Sequence, residues 1–312
     1  MRLPQIYLFV LCYFLQITHG LKLSSDDAKY ARYLIKFGYM GRNSMRTLHG
    51  NTYVEEDEFS DALKNFQSYA RLSQTGELDD ATRNMMHRDR CQAKDVELGS
   101  RKKRYTVNGN WPKKHLTYKI SKYSANLSKT EVDSIIFLAF SVWSAQADIT
   151  VTERKQGRTD MDIKFESISP RANQHIYGNT NSRDRTIVIT LNDDVLWSQN
   201  FSTGLPNLFQ TAAHEIGHAL GLGHTNIQDA MMYAVYDFGR KTFTLHEDDI
   251  QGIKSVFNDV KAISYPGKNK YRKFATNLQT SYEDLKDKLT ASFGPLDFKE
   301  LKLPSDFFEN GF

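Results

Sequence analysis

Cysteine is nearly absent from this chain: its 312 residues hold two, Cys12 and Cys91. A disulfide framework is thereby excluded. Long apolar runs are scarce as well. The stretch Ile6 to Ile17 covers about 12 residues where a membrane span needs about 20, and no later run is as apolar, so no transmembrane anchor is expected. An excess of one charge is missing from the larger part. Residues 1–104 carry 17 Lys and Arg against 13 Asp and Glu, whereas residues 105–312 carry 24 of each, inside a formal total of +4. That neutrality argues against a nucleic-acid footprint, so no nucleic-acid partner is expected. There is no internal repeat. What is present, 40% hydrophobic and 25% charged residues, excludes wholesale disorder and suits one large or two modest domains.

Residues 1–20 begin with a basic Arg2, continue through the apolar stretch and end in Thr18-His19-Gly20, with short residues at the −3 and −1 positions of a cleavage after Gly20. This layout predicts a signal peptide and a secreted, extracellular protein. Removal of the leader leaves Cys91 as a lone thiol in an oxidising compartment. Such a leftover cysteine points to intermolecular pairing or to a reactive thiol. Asn126-Leu127-Ser128 and Asn200-Phe201-Ser202 are acceptor sequons, as expected of a glycoprotein.

Residues 28–86 read as helical. Apolar residues recur at helical spacing from Ala28 to Phe37 and again in Ala62, Leu63, Phe66, Tyr69 and Ala70. Leu78-Asp79-Asp80-Ala81 opens a third helix, with acids where the helix dipole favours them. The basic run Arg101-Lys102-Lys103-Arg104 follows. A solvated patch would also explain it, but between a helical block and a new domain of a secreted chain it predicts a processing site. A subtilisin-like convertase cutting after Arg104 would leave Tyr105 as the new N-terminus.

The second block mixes α and β. His115 to Ile120, Met161 to Phe165 and Thr186 to Leu191 read as strands. Val132, Ile135, Ile136, Ala139, Phe140 and Trp143 mark an amphipathic helix, Leu208 to Leu220 a second bounded by Gly221, and Glu247 to Phe257 a last one.

Chemistry concentrates in His214-Glu215-Ile216-Gly217-His218-Ala219-Leu220-Gly221-Leu222-Gly223-His224. Helical residues four apart differ by about 40° in azimuth and about 6 Å along the axis, so His214 and His218 can aim at one ion. Gly221 can end the helix at positive φ and return the chain so that His224 supplies a third ligand. Three neutral imidazoles fit zinc and leave a fourth position for water. Zinc in such a site lowers the pKa of bound water toward about 7 and polarises a peptide carbonyl. Glu215, beside the first ligand, would take the proton from that water and deliver it to the leaving nitrogen. A closed structural zinc site would have to explain a carboxylate next to three ligands.

This motif resembles that of the metzincin peptidases. Met232, eight residues past His224 in Ala230-Met231-Met232-Tyr233, resembles their methionine turn, and the spacing on to Tyr236 is similar to the matrixin branch, the matrix metalloproteinases. Thr225 stands where matrixins usually have Ser, and Ala234 where they have Pro. The resemblance implies that Ala234 to Tyr236 line the pocket for the residue after the scissile bond. It extends upstream: Tyr33-Leu34 with Phe37-Gly38-Tyr39, Leu63 to Gln67, and Thr75 to Asp79 are similar to the matrixin propeptide. The cysteine switch of that propeptide, usually Pro-Arg-Cys-Gly-x-Pro-Asp, here reads Asp89-Arg90-Cys91-Gln92-Ala93-Lys94-Asp95. The implication is that Cys91 is a zinc ligand in the latent zymogen only, its thiolate taking the water position, while Arg90 pairs with Asp95.

The matrixin pattern also has gaps in this chain. Residues 166–197 hold one histidine, His175, and Thr190-Leu191-Asn192-Asp193-Asp194 replaces the motif that carries structural-zinc and calcium ligands, with Trp197 still following. The expectation is one catalytic zinc, with calcium at Asp193 and Asp194 left open beside the reading of a solvated acidic turn. Asp248-Asp249 matches the acidic pair that receives the freed N-terminal ammonium, although helix-dipole complementarity explains it equally. Residues 266–312 are too short for a hemopexin-like propeller, and Tyr282, Leu285 and Leu289 at helical spacing suggest packing or partner contact.

The expected organisation is therefore a signal peptide (1–20), a propeptide with cysteine switch and processing site (21–104), a zinc metallopeptidase domain (105–265) and a tail of unread role (266–312). The fold class is α+β: a small all-helical propeptide domain, then a metzincin domain with a five-stranded mixed sheet and three helices. The expected function is a monomeric, secreted zinc endopeptidase acting on extracellular-matrix or cell-surface proteins, with a processing convertase as its partner at Arg101–Arg104. Two readings compete: a secreted, non-catalytic zinc-containing binding protein, and a metzincin of another branch such as the astacins, which would need disulfides this chain cannot form.

Overall fold

The computed structural model describes residues 20–96, 111–147, 149–168, 176–198, 205–239 and 245–257. Most of the expected leader, the Arg101–Arg104 run, Tyr105, His175, Asn200 and the tail from 266 lie outside them. The described chain divides into two compact units, one from residues up to 88 together with 94–96, the other from 89–93 and the residues from 111 on.

The first unit carries helices α1 (Ala28–Lys36), α2 (Glu56–Tyr69) and α3 (Asp80–Met86), close to the sequence expectation. Asp79 caps α3, its carboxylate accepting from Thr82 N at 2.7 Å. Tyr33, Leu34, Phe37, Leu63 and Phe66 form the core. Gly38 has φ +90°, and a Cβ there would meet the Val96 carbonyl oxygen at 1.9 Å, so only glycine fits. The Tyr39 hydroxyl donates to Asp95 Oδ2 at 2.8 Å.

The all-helical expectation for this unit needs correcting. Strands β1 (Gly20–Leu23), β2 (Met45–Leu48) and β3 (Asn51–Glu55) form an antiparallel sheet in the order β1-β3-β2. They are short and bury only Leu23 and Val54, the other side chains being exposed or half-buried, so no period-two pattern marks them. Their one local signal is the two-residue turn His49-Gly50, where both residues have positive φ (48° and 78°) as a hairpin of this twist requires.

The second unit holds a five-stranded sheet in the order β5-β4-β6-β8-β7. Its members are β4 (His115–Lys122), β5 (Thr150–Glu153), β6 (Met161–Glu166), β7 (Gly178–Arg183) and β8 (Thr186–Asn192). Four strands run parallel, and β7 is an antiparallel edge on β8, so the sheet is mixed as expected. In β6, Met161, Ile163 and Phe165 alternate inward. By contrast β7, Gly-Asn-Thr-Asn-Ser-Arg, has no apolar member, so no alternation marks it in the sequence.

Three helices accompany the sheet among the described residues: α4 (Lys129–Ala147), α5 (Leu208–Ala219) and α6 (Glu247–Phe257). α4 turns Val132, Ile136, Ala139, Phe140 and Trp143 into the core, and Trp143 Nε1 donates to the Ala213 carbonyl at 2.9 Å, fastening α4 to α5. Along α5 every residue but His218 is buried, so its polar side chains must find partners inside the protein.

Candidate metal centre

α5 starts at Asn207, whose side chain accepts from Gln210 N at 2.9 Å, and ends in a Schellman arrangement. Gly221, at φ +109°, donates to the His218 carbonyl at 3.0 Å and Leu222 donates to Gly217 O at 2.9 Å. This reversal carries His224 back beside the helix. Its Nε2 lies 3.2 Å from both His214 Nε2 and His218 Nε2. Cys91 Sγ lies 3.3 Å from His218 Nε2, and the four ligand atoms fall within 4.8 Å of one another.

The tautomers suit a cation. His214 Nδ1 faces the Met231 carbonyl at 2.7 Å and His218 Nδ1 faces the Leu222 carbonyl at 2.8 Å. A carbonyl only accepts, so each Nδ1 donates its proton and each Nε2 turns a lone pair toward the cluster. Burial, with His218 and His224 beside it, pushes His214 well below the ordinary imidazole range, which keeps it neutral. A tetrahedral zinc with bonds of about 2.0–2.3 Å has ligand–ligand edges of about 3.3–3.6 Å. Three of the six separations, at 3.2–3.3 Å, lie near those edges and the others fall within 4.8 Å, so the donor set of three imidazoles and a sulfur suits the ion. Burial also pushes the Cys91 thiol well up, and the charge of Glu215 adds to this, so a thiolate here depends on a neighbouring cation.

The segment carrying Cys91 runs as a strand between two walls. Cys91 N donates to Ala234 O at 2.9 Å and Tyr236 N donates to Asp89 O at 2.9 Å, while Arg90 bridges antiparallel to Val235 and parallel to Ile176. Arg90 is buried, its Nε donating to Cys91 O at 3.2 Å, and Ala93 N donates to Cys91 Sγ at 3.3 Å. Ala234, where matrixins usually have proline, contributes a carbonyl here, a group proline would also offer.

Glu215 is fully buried beside the cluster. Thr180 Oγ1 donates to Glu215 Oε2 at 2.6 Å and lies 3.1 Å from the Glu215 carbonyl, while the Tyr236 hydroxyl reaches Oε1 at 3.4 Å. Gly178 provides the space: a Cβ there would lie 2.6 Å from Glu215 Cγ. Neither Gly178 nor Thr180 stands out in the sequence, because β7 shows no hydrophobic alternation.

Below the histidines, Thr225 N donates to Met232 O at 3.1 Å and closes the methionine turn. Asp249 holds the turn from the other side, accepting from Met231 N at 2.7 Å, Met232 N at 3.1 Å and His246 N at 2.9 Å. Burial raises its carboxyl to about 6 despite those three donors. Asp248 N donates to His246 Nδ1 at 3.1 Å. Asp193 and Asp194, the expected calcium candidates, accept from Ala125 N at 3.0 Å and from the Ser167 hydroxyl at 2.5 Å. Among the described residues, the group of three or more His, Cys, Asp and Glu side chains close enough to hold a metal is Cys91, His214, His218 and His224.

Residues 110–258 match the family model for matrixin. The chain belongs to this family. As a matrixin it is 31% identical over 234 residues to matrix metalloproteinase-19 of Homo sapiens, covering 72% of this chain and 44% of that protein. It is 33% identical over 236 residues to matrix metalloproteinase-19 of Mus musculus, covering 72% and 43%. Interstitial collagenase of Oryctolagus cuniculus is 32% identical over 215 residues, covering 65% of this matrixin and 44% of the collagenase. The chain thus spans less than half the length of these relatives. None of the described helices is long and apolar enough to cross a membrane.

Proposed function

We propose that this matrixin is a secreted zinc endopeptidase made as a latent zymogen, cleaving proteins of the extracellular matrix or cell surface. The observation that carries the proposal is the convergence of three Nε2 atoms and Cys91 Sγ within 4.8 Å, beside the buried carboxylate of Glu215. Two imidazoles are oriented by carbonyls rather than by charged partners, and the three histidines sit on one rigid helix and its C-terminal turn, which suits a preformed site.

In this reading His214, His218 and His224 hold the zinc. The ion, when bound, acidifies water and polarises the scissile carbonyl as a Lewis acid. Glu215 is the general base and acid: it accepts the proton of the attacking water, whose oxygen forms the new bond to carbon, and returns it to the nitrogen as the C–N bond breaks. Residues 176 and 234–236, which flank the Cys91 strand, present backbone groups on which an extended substrate can pair. Cys91 occupies the reaction site until residues 21–104 are released by cleavage at Arg101–Arg104. The leader would be residues 1–20, the catalytic domain 105–265 and the tail 266–312. Exposed Asn126 suits glycosylation. The names of the relatives, an interstitial collagenase among them, favour matrix proteins and collagen as substrates.

The test is hydrolysis of a quenched peptide library by the full chain, before and after cutting with a basic-site convertase, with zinc counted and Glu215→Ala alongside. Turnover after cutting, abolished by a chelator and by Glu215→Ala, is the expected result. One equivalent of zinc in a folded, cut protein that turns over nothing would overturn it in favour of a non-catalytic binding protein.

A further inference from the structure

Gly178 and Thr180 lie two residues apart on β7 and both face Glu215. A glutamate side chain does not fix its own carboxylate plane, since the terminal torsion is broad and two-fold. Here two features of β7 restrict it. A Cβ at Gly178 would come within 2.8 Å of Glu215 Oε1, so the missing side chain is the room in which the carboxylate sits. The Thr180 hydroxyl has one proton to give and two acceptors, Oε2 at 2.6 Å and the Glu215 carbonyl at 3.1 Å. The shorter contact, to a charged oxygen, is the stronger. Oε2 is therefore engaged, and Oε1 is the oxygen that approaches the Tyr236 hydroxyl at 3.4 Å.

We propose that Thr180 is a positioning residue for Glu215: by binding Oε2 it leaves Oε1 as the oxygen that takes and returns the proton during hydrolysis. The inference rests on the endopeptidase reading. Gly178 is its counterpart, clearing the volume that the pinned carboxylate fills. The pairing arises on an edge strand made entirely of Gly, Asn, Thr, Ser and Arg, where an apolar residue would serve the fold as well.

The experiment compares Thr180→Val, which keeps the shape and loses the donor, with Thr180→Ser, which keeps the donor. In the convertase-cut full chain, Thr180→Val should lower kcat about tenfold with KM within about twofold, and Thr180→Ser should restore most of the loss. A second readout needs neither zinc nor turnover. In the metal-free full chain, the unfolding midpoint should drop on Thr180→Val in the wild-type background and drop less in a Glu215→Ala background. Equal drops in both backgrounds, or an unchanged kcat for Thr180→Val in an active enzyme, would overturn the positioning role alone. A wild type that binds zinc without turnover sinks the endopeptidase reading and the positioning role with it, whatever the midpoints show.

Discussion

Gly217 leaves the space that the Met232 sulfur occupies: a Cβ on residue 217 would come 2.3 Å from that sulfur and 3.0 Å from Trp143 Cζ2. The methionine turn therefore sits directly against α5 between the two helical histidines. An alanine gains about 1 kcal/mol of helix propensity, but overpacking a rigid core costs about 1–3 kcal/mol. Gly217→Ala should lower stability on balance and move the Met231 carbonyl that orients His214, cutting zinc affinity by about tenfold or more. Urea unfolding and competition with a chromophoric chelator measure the two effects.

Cys91→Ser removes the soft ligand while preserving the size of the side chain. The backbone bonds of Cys91 N to Ala234 O and Tyr236 N to Asp89 O survive the change. The uncut full chain carrying Cys91→Ser should hydrolyse a quenched peptide, whereas the uncut wild type should not. Turnover by both uncut proteins would show that the thiol does not maintain latency.

Asp249 makes stability depend on pH in the direction opposite to most paired carboxylates. Burial holds its carboxyl at about 6 in the folded protein, above the ordinary aspartate range, so the folded state binds the proton more tightly. The stabilisation from this group is complete below about pH 4 and is lost as pH rises through about 6, amounting to about 3 kcal/mol. With chelator present so that histidine–metal linkage cancels, the stability advantage of wild type over Asp249→Asn should be larger at pH 4 than at pH 7. The pH dependence of the difference in urea midpoints reads this directly.

Gln67 organises the first unit. Its Nε2 lies 2.9 Å from Thr75 Oγ1, Glu77 O and Thr82 Oγ1, and its Oε1 accepts from Gly76 N at 2.9 Å. Gln67→Leu matches the apolar neighbours Leu63 and Phe66 yet takes this partner from the buried Gly76 N and Thr82 hydroxyl. It should cost about 2–4 kcal/mol. Chemical unfolding of the full chain, followed by circular dichroism, should show the shift.

Legibility followed the distance over which each feature is encoded. The helices Ala28–Lys36 and Glu247–Phe257 bury one face each, and their apolar spacing announced them. The strand Gly178–Arg183 lies at a sheet edge, pairs through backbone groups that every residue has, and so left no pattern to read. The hairpin of Met45–Leu48 and Asn51–Glu55 is hidden for the same reason, with His49-Gly50 as its one local signal.

The sequence by itself determined the imidazole cluster, because His214, His218, Gly221 and His224 lie within one helix and its C-terminal turn, where local backbone geometry alone sets their separation. Only the tertiary structure decided what surrounds that cluster. Cys91 meets His218 across 127 residues, Thr180 meets Glu215 across 35, and Asp249 meets Met232 across 17. The first two are polar contacts to α5, formed because that helix is buried and its ionisable groups meet the segments that pack around it, and the third ties α6 to the methionine turn.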